Sequence, residues 1–292
     1  MKVITNVSDM HQEVRNLKAQ TVGFVPTMGY LHDGHRVLIK HAKEENNIVV
    51  VSVFVNPLQF NQSSDLENYP RDFERDRQIL ERDGVDYVFY PEGNKMYPNP
   101  LTINMSIVKR TDVLCGQSRP GHFEGVVMVL SKLFNIVKPN QVYFGIKDAQ
   151  QVAVVDALIQ DLNFDIQLKP VPTKREKDGL AMSSRNVNLE DHERQEASEI
   201  YQSLKSVQIF IESSSTWTRQ EVIDYVRNYL VKRISGEIDY VDCLSFPELT
   251  ADISKDDDVI IAVAVYYKRA RLIDNIILDC NGKIKYGSES DV

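Results

Sequence analysis

Cysteine is scarce and scattered in this chain. Cys115, Cys243 and Cys280 are odd in number and far apart, which excludes a disulfide framework and predicts reduced thiols. No HExxH and no paired CxxC occurs, so the common zinc spacings are missing. Neither GxxxxGK[ST] nor GxGxxG is present, which removes the P-loop and the dinucleotide fingerprint. There is no long uncharged apolar run, and the opening Met1–Ser8 contains no apolar h-region, so the expectation is a cytoplasmic protein with no membrane partner. Positive charge is also in deficit: a net charge of −8 argues against a dedicated nucleic-acid surface while leaving room for a local basic pocket. No internal repeat is visible. What remains is an ordinary globular composition, 42% hydrophobic and 26% charged over 292 residues, ample for one large domain or two.

The chain is organised around Val22-Gly-Phe-Val-Pro-Thr-Met-Gly-Tyr-Leu-His32-Asp-Gly-His35. Val22 to Val25 suits a short buried parallel strand. Pro26 and Gly29 break the chain, and a helical pattern (Val37, Leu38, Ala42) follows His35. A helix N-terminus carries unpaired N–H groups and partial positive charge, so it suits a phosphate. Gly34 permits close backbone approach, and both imidazoles can donate hydrogen bonds. A metal is the rival reading of the two histidines. The missing zinc spacings, and the scatter of the other histidines along the chain, favour phosphate.

The rest of the chain is read in order. Val7–Leu17 predicts an amphipathic helix capped by Ser8, and a further helix covers 35–46. Ile48–Val55 is a continuous β-branched run of the kind buried on both faces. Strand, helix and strand form a right-handed βαβ unit, whose ligands bind beyond the carboxyl ends of the strands. After a polar loop at Asp65–Pro70 come a charged helix, Asp72–Arg82, and a strand, Val85–Tyr90. Residues 92–123 read as irregular. Gly125–Val137 is an apolar helix, Gln141–Phe144 a strand, Gly145–Gln151 the start of a helix reaching Leu162, and Ile166–Val171 the next strand. Alternating strands and helices predict an α/β doubly wound, Rossmann-like domain over 1–175. Beyond it, a helix near 189–211, a Ser-rich turn, a helix opened by the Thr218–Glu221 capping box, and β-rich stretches at Ile238–Phe246, Val259–Tyr267 and Ile276–Leu278 predict a smaller α+β domain over 176–292. The tail from Gly287 to Val292 reads as disordered.

Three stretches at strand ends or helix starts carry phosphate-compatible groups: the histidine turn, Gly145–Asp148 and Met182–Arg185. Lys147 is a point charge and Arg185 a fork donor. No nucleophile–base pair stands out; Cys115 has His122 seven residues on, with nothing to activate it. Cations and donors without a base suit a nucleophile that is already ionised. A carboxylate, with a pKa of about 4, attacks a nucleotide phosphate without deprotonation. The protein must then align it and stabilise charge on the phosphoryl oxygens.

Taken together, Pro26–His35, Phe54-Val-Asn-Pro-Leu-Gln-Phe60, Tyr69-Pro-Arg71, Arg119-Pro-Gly-His122, Gly145–Gln151 and Asp178-Gly-Leu-Ala-Met-Ser-Ser-Arg-Asn186 resemble the pantothenate synthetases, in order and over nearly the whole chain. The resemblance implies the HxGH nucleotidyltransferase superfamily, with a Met-Ser-Ser-Arg loop similar to the KMSKS loop of class I aminoacyl-tRNA synthetases. It implies condensation of pantoate with β-alanine using ATP and Mg2+, through pantoyl adenylate, releasing pyrophosphate and then AMP. His32, His35 and Lys147 are the implied catalytic residues, with His35 as proton donor. Met28, Gly29, His32, Gly34, His35, Gly145, Ile146, Lys147, Asp148, Lys174, Met182, Ser183, Ser184 and Arg185 are implied to hold ATP. Thr27, Met28, Gln59 and Gln151 would hold pantoate, Arg119 and His122 would lie near β-alanine or the intermediate, and Asp76 would touch magnesium. A homodimer is also implied. Gln59 and Gln151 are neutral, so they can fix pantoate without an ion pair that would blunt its nucleophilicity.

The rival within the superfamily transfers a nucleotidyl group onto a phosphate ester such as nicotinate mononucleotide, an acceptor that calls for extra cations where this chain offers glutamines. A non-catalytic or RNA-interacting relative is the rival from another class, and the charge of −8 speaks against it. An acyl adenylate hydrolyses readily, so the 174–185 loop and the smaller domain are expected to act as a lid, hinged near residue 175.

Overall fold

The computed structural model describes residues 1–17, 20–61, 66–214 and 216–287. Asp65, Ser215 and the tail beyond Gly287, on which parts of three expectations fall, lie outside them. Contacts group the chain into two compact units. The first comprises Met1–Thr111, Cys115–Phe144 and Val154–Val171; the second comprises Asp112–Leu114, Gly145–Ala153 and Pro172–Val292.

The first unit is built on a parallel, six-stranded sheet flanked by helices. Its strands are β1 (Lys2–Ile4), β2 (Val22–Thr27), β3 (Ile48–Val53), β4 (Tyr87–Phe89), β5 (Gln141–Gly145) and β6 (Gln167–Val171), in the order β1-β4-β3-β2-β5-β6. The β-branched run of β3 is buried along almost its whole length, and it pairs in parallel with β2 from Val22↔Ile48 to Thr27↔Val53. Helices α1 (Val7–Asn16), α2 (Asp33–Glu45), α3 (Phe73–Arg82), α4 (His122–Val137) and α5 (Ala149–Asp161) connect the strands. Val37, Leu38, Ile39 and Ala42 of α2 pack with Val49, Val51 and Val53 of β3 in one core. From β2 the chain builds toward β3 and β4 on one side and returns to β5 and β6 on the other. The switch point therefore lies between β2 and β5, and such sheets bind ligands beyond the carboxyl ends of the strands there.

The second unit carries helices α6 (Glu199–Ser213) and α7 (Arg219–Val231) and an antiparallel sheet of β7 (Glu237–Phe246), β8 (Asp258–Tyr266) and β9 (Arg271–Leu278). Ile200, Leu204 and Val207 of α6 and Val222 and Val226 of α7 bury against Ile261 and Val263 of β8. Thr218 and Glu221 form the expected capping box.

Several boundaries differ from the sequence reading, each for a local reason. Helix α1 starts at Val7 after an N-cap Asn6 whose side chain makes no cap bond, so Ser8 lies inside the first turn and is not the cap. Strand β1 is three residues long, too short for a period to show. The stretch 92–123 contains two four-residue helices, Gly93–Met96 and Cys115–Ser118. The helix near 189–211 is divided into Asp191–Glu196 and α6. Strand β9 begins at Arg271, five residues before the expected Ile276, because Asp274 and Asn275 interrupt the apolar pattern. All three cysteines are free thiols. No helix among the described residues is long and apolar enough to cross a membrane.

Candidate active site

The turn after β2 is held open by its own backbone. Gly29 has φ +86°, and a Cβ there would lie 2.9 Å from Val53 Cγ1 and 3.0 Å from Asp76 Oδ2, so only glycine fits. Tyr30 also has positive φ, +53°, which disfavours an L residue by about 1 kcal/mol. Asp76 holds this conformation. Its side chain is 1% exposed, and its two oxygens accept from the Tyr30 and Leu31 N–H groups, each at 2.7 Å. The Arg75 guanidinium sits 5.1 Å over the Tyr30 ring. Burial pushes the Asp76 carboxyl above the ordinary aspartate range, against the pull of the two N–H donors. The Asp76 carboxylate thus faces backbone donors inside the fold. No cluster of three or more metal-ligating side chains occurs among the described residues.

The two histidines cap α2 reciprocally. His32, the N-cap, accepts at Nδ1 from the Gly34 N–H (3.1 Å), and His35 accepts at Nδ1 from the His32 N–H (3.2 Å). Their rings lie 4.0 Å apart. An Nδ1 that accepts carries no hydrogen, so in each neutral ring the proton resides on Nε2. A capping box is usually made by Ser or Thr with Glu. Made with histidines, it satisfies the same orphan donors and keeps each ring's proton on Nε2 at a helix N-terminus, where the dipole favours an anion.

Gln59 is oriented from α4. A short turn, Pro57–Gln59, follows β3. Asn56, 1% exposed, donates from Nδ2 to the Gly125 carbonyl (3.0 Å) and to Gln59 Oε1 (3.2 Å), and accepts at Oδ1 from Tyr97 Oη (2.9 Å). Because a carbonyl only accepts, the Asn56 amide is fixed, and with it that of Gln59, whose Nε2 is left as the presented donor, 3.3 Å from Met28 Sδ. Thr27, in the same turn, donates to the Ser52 carbonyl and accepts from the Gly29 N–H. His122 Nδ1 lies 2.8 Å from the Gln59 carbonyl, so it must carry the proton, and its Nε2 then accepts from Arg119 Nη1 (3.2 Å). His122 thus has the opposite tautomer to His32 and His35. It is a buried clasp on the Gln59 turn.

The other predicted residues lie in the second unit. Gly145 leads into a 3-10 turn, Ile146–Asp148, in which Ile146 is buried, Lys147 is largely covered and Asp148 is exposed. Gln151 is half-buried in the first turn of α5. The 174–186 segment forms a small hairpin: Met182 N–H donates to the Lys174 carbonyl (3.0 Å), Arg175 bridges Ala181, and Gly179 turns at φ +95°. Arg194 pairs with Asp178 (2.5 Å) and Glu176 (2.6 Å), and Asn186 Nδ2 donates to Glu176 Oε1 (2.9 Å) and the Ala181 carbonyl (3.1 Å). Ser183 Oγ accepts from the Arg185 N–H at 3.2 Å, while Met182 and Ser184 are half-buried and Arg185 is exposed. Residue-by-residue reading gave no role to Asn56 or Gly125; their only sequence signal was a place inside or beside a recognised motif.

The model of the pantoate–β-alanine ligase family matches residues 2–277. The pantothenate synthetase of Geobacillus thermodenitrificans is 52% identical over 281 residues, covering 96% of this chain and 97% of that protein. That of Bacillus cereus is 49% identical over 280 residues, covering 95% and 99%. Among solved structures, pantothenate synthetase from Thermus thermophilus superposes with a TM-score of 0.86 at 39% identity, covering 96% of this chain and 99% of that one. The Francisella tularensis pantoate–β-alanine ligase, complexed with β,γ-ATP and β-alanine, superposes with a TM-score of 0.78 at 35% identity, covering 95% and 97%. This chain belongs to the pantoate–β-alanine ligase family.

Proposed function

We propose that the protein condenses pantoate with β-alanine to pantothenate, using ATP, through pantoyl adenylate. The observation that carries this reading is the histidine capping box. It places the proton of each neutral imidazole on Nε2 at a helix N-terminus, in the turn that also holds Met28 against the neutral amide of Gln59. The F. tularensis homologue in complex with β,γ-ATP and β-alanine supports the substrate class.

In the first step a pantoate carboxylate oxygen attacks the α-phosphorus, the bond to the bridging oxygen breaks, and pyrophosphate leaves with the electron pair. His32 and His35 donate hydrogen bonds to the phosphate oxygens as charge gathers there, with His35 as the proton donor. Lys147 and Arg185 supply fixed positive charge, and Gly29, Gly34, Gly145, Ile146, Asp148, Lys174, Met182, Ser183 and Ser184 complete the nucleotide contacts. Gln59 Nε2–H and Gln151 hold pantoate oxygens against Thr27 and Met28. In the second step the β-alanine amine attacks the acyl carbon, AMP leaves, and the ammonium sheds its proton. Arg119 and His122 lie near β-alanine or the intermediate, with His122 also bonded to the Gln59 turn.

Magnesium enters as the counter-ion of ATP. Bound there, it would offset charge on the phosphate oxygens during adenylation. A cytoplasmic location follows from the site's need for cytosolic ATP. The protein is a homodimer through the 101–108 segment, where Leu101, Ile103 and Val108 are 45%, 73% and 90% exposed, apolar side chains that a partner would cover.

The reaction is tested by its products. ATP, Mg2+, pantoate and β-alanine should give AMP, pyrophosphate and pantothenate in equal amounts. ADP and phosphate in their place would mean an acyl phosphate route and would refute the adenylate.

A further inference from the structure

Two consecutive residues of β9 tie down the two segments of the second unit to which the ATP contacts are assigned. Side chains alternate across a strand, so Asp274 shares a face with Leu272, Ile276 and Leu278, all members of the helix-packed core. A carboxylate in that row is out of place unless something pairs with it. Arg175 does so bidentately, Nη1 to Oδ2 at 2.6 Å and Nη2 to Oδ1 at 3.0 Å, with side-chain exposures of 5% and 4%. The same guanidinium donates from Nη1 to the Gly179 carbonyl (3.1 Å) and lies 3.5 Å over the Tyr201 ring. It therefore fixes the root of the 174–186 hairpin.

Asn275 points to the opposite face. Its Nδ2 donates to two backbone carbonyls at once, those of Ile146 (3.0 Å) and Lys147 (2.9 Å). Both amide hydrogens are spent on the turn that presents Lys147, and the residue is 8% exposed. The backbone N–H of Asn275 donates to Asp274 Oδ1 at 2.8 Å, so the two side chains also share a hydrogen-bond network.

We propose that Asp274 and Asn275 are positioning residues for adenylation: one dipeptide sets the Lys147 turn and the Met182–Arg185 loop in register with each other. The proposal rests on the assignment of both segments to ATP. A small misplacement of phosphate-binding groups lowers rates by about 10- to 100-fold. Neither residue touches substrate. A merely structural strand pair would affect all three substrates alike, whereas this pair should affect the nucleotide selectively.

The test uses the full-length protein and three variants. Asn275→Leu keeps the size and removes both donors, Asn275→Ser restores one donor, and Asp274→Asn keeps the shape and removes the charge facing Arg175. Binding of MgATP is read with its β,γ-methylene analogue, together with steady-state KM values for ATP, pantoate and β-alanine, and thermal melting. The expected result is a rise of about tenfold or more in the analogue Kd and in KM for ATP for Asn275→Leu, partial recovery in Asn275→Ser, and KM for pantoate and β-alanine within twofold. Should Asn275→Leu not fold, the graded shift in Asn275→Ser and Asp274→Asn carries the same test. Unchanged nucleotide affinity in variants that fold overturns the proposal, as does an equal rise in all three KM values. Failure of the wild-type protein to bind the analogue would instead overturn the functional reading beneath it.

Discussion

At the scale of single residues, the account depends on hydrogen positions set by backbone partners. His32 and His35 each use Nδ1 to cap α2, so replacing one of them tests two jobs that can be separated. Asparagine is a good N-cap, and in His32→Asn its Oδ1 can take the Gly34 N–H while its amide is too short to reach a phosphate. Stability should hold within about 1 kcal/mol, while the adenylation rate falls about 10²- to 10³-fold. Equal losses in stability and rate would contradict the capping argument. Asp76 offers a pH test. Burial raises its pKa in the folded protein, so the folded state binds that proton more tightly than the unfolded chain. The stability tied to this proton is fully present below the ordinary aspartate value and is lost as pH rises through the folded value. Asp76→Asn leaves the Tyr30 and Leu31 N–H groups short of an acceptor, and at neutral pH should destabilise by about 1–3 kcal/mol. Urea denaturation should show the gap between wild type and variant widening as pH falls toward the ordinary aspartate range. A gap that narrows would contradict the assignment.

At the scale of elements, α4 and β9 do work that their sequences conceal. A Cβ on Gly125 would lie 2.4 Å from the Leu58 carbonyl oxygen and 2.6 Å from the Gln59 N, so α4 meets the Pro57–Gln59 turn backbone to backbone. Gly125→Ala should raise KM for pantoate by about tenfold, leave KM for ATP near its wild-type value, and lower the melting temperature. It should do so although alanine favours a helix over glycine by about 1 kcal/mol. A more stable variant with unchanged pantoate kinetics would show that the turn yields freely. These cases also mark what the sequence made legible. The histidine turn could be read because its strand, breakers, histidines and helix are contiguous, and α2, β3 and β5 followed from their apolar periods. The Asn56–Gly125 contact spans 69 positions, and no local pattern records it. Asp274 and Asn275 weakened the apolar period of β9, so the strand was read as three residues instead of eight. Their polarity was the signal, and only the partners in space explain it. The hold of Asp76 on the Tyr30 and Leu31 N–H groups spans 45 positions or more, and it too leaves no local pattern.

At the scale of the whole molecule, a net charge of −8 keeps the surface acidic, and anionic substrates depend on local donors and cations to offset it. The proposed homodimer gives a direct check. Ile103→Asp with Val108→Asp places charge on two exposed apolar positions of the 101–108 segment, and sedimentation should shift from dimer mass to monomer mass. Wild-type protein sedimenting as a monomer would contradict the dimer. The central claim, that pantoate carboxylate attacks ATP before β-alanine enters, is tested most directly by single-turnover pyrophosphate release with ATP, Mg2+ and pantoate alone. The account predicts a burst near one equivalent of enzyme, with AMP appearing only after β-alanine is added. No burst without β-alanine would contradict it, as would a burst that does not require pantoate.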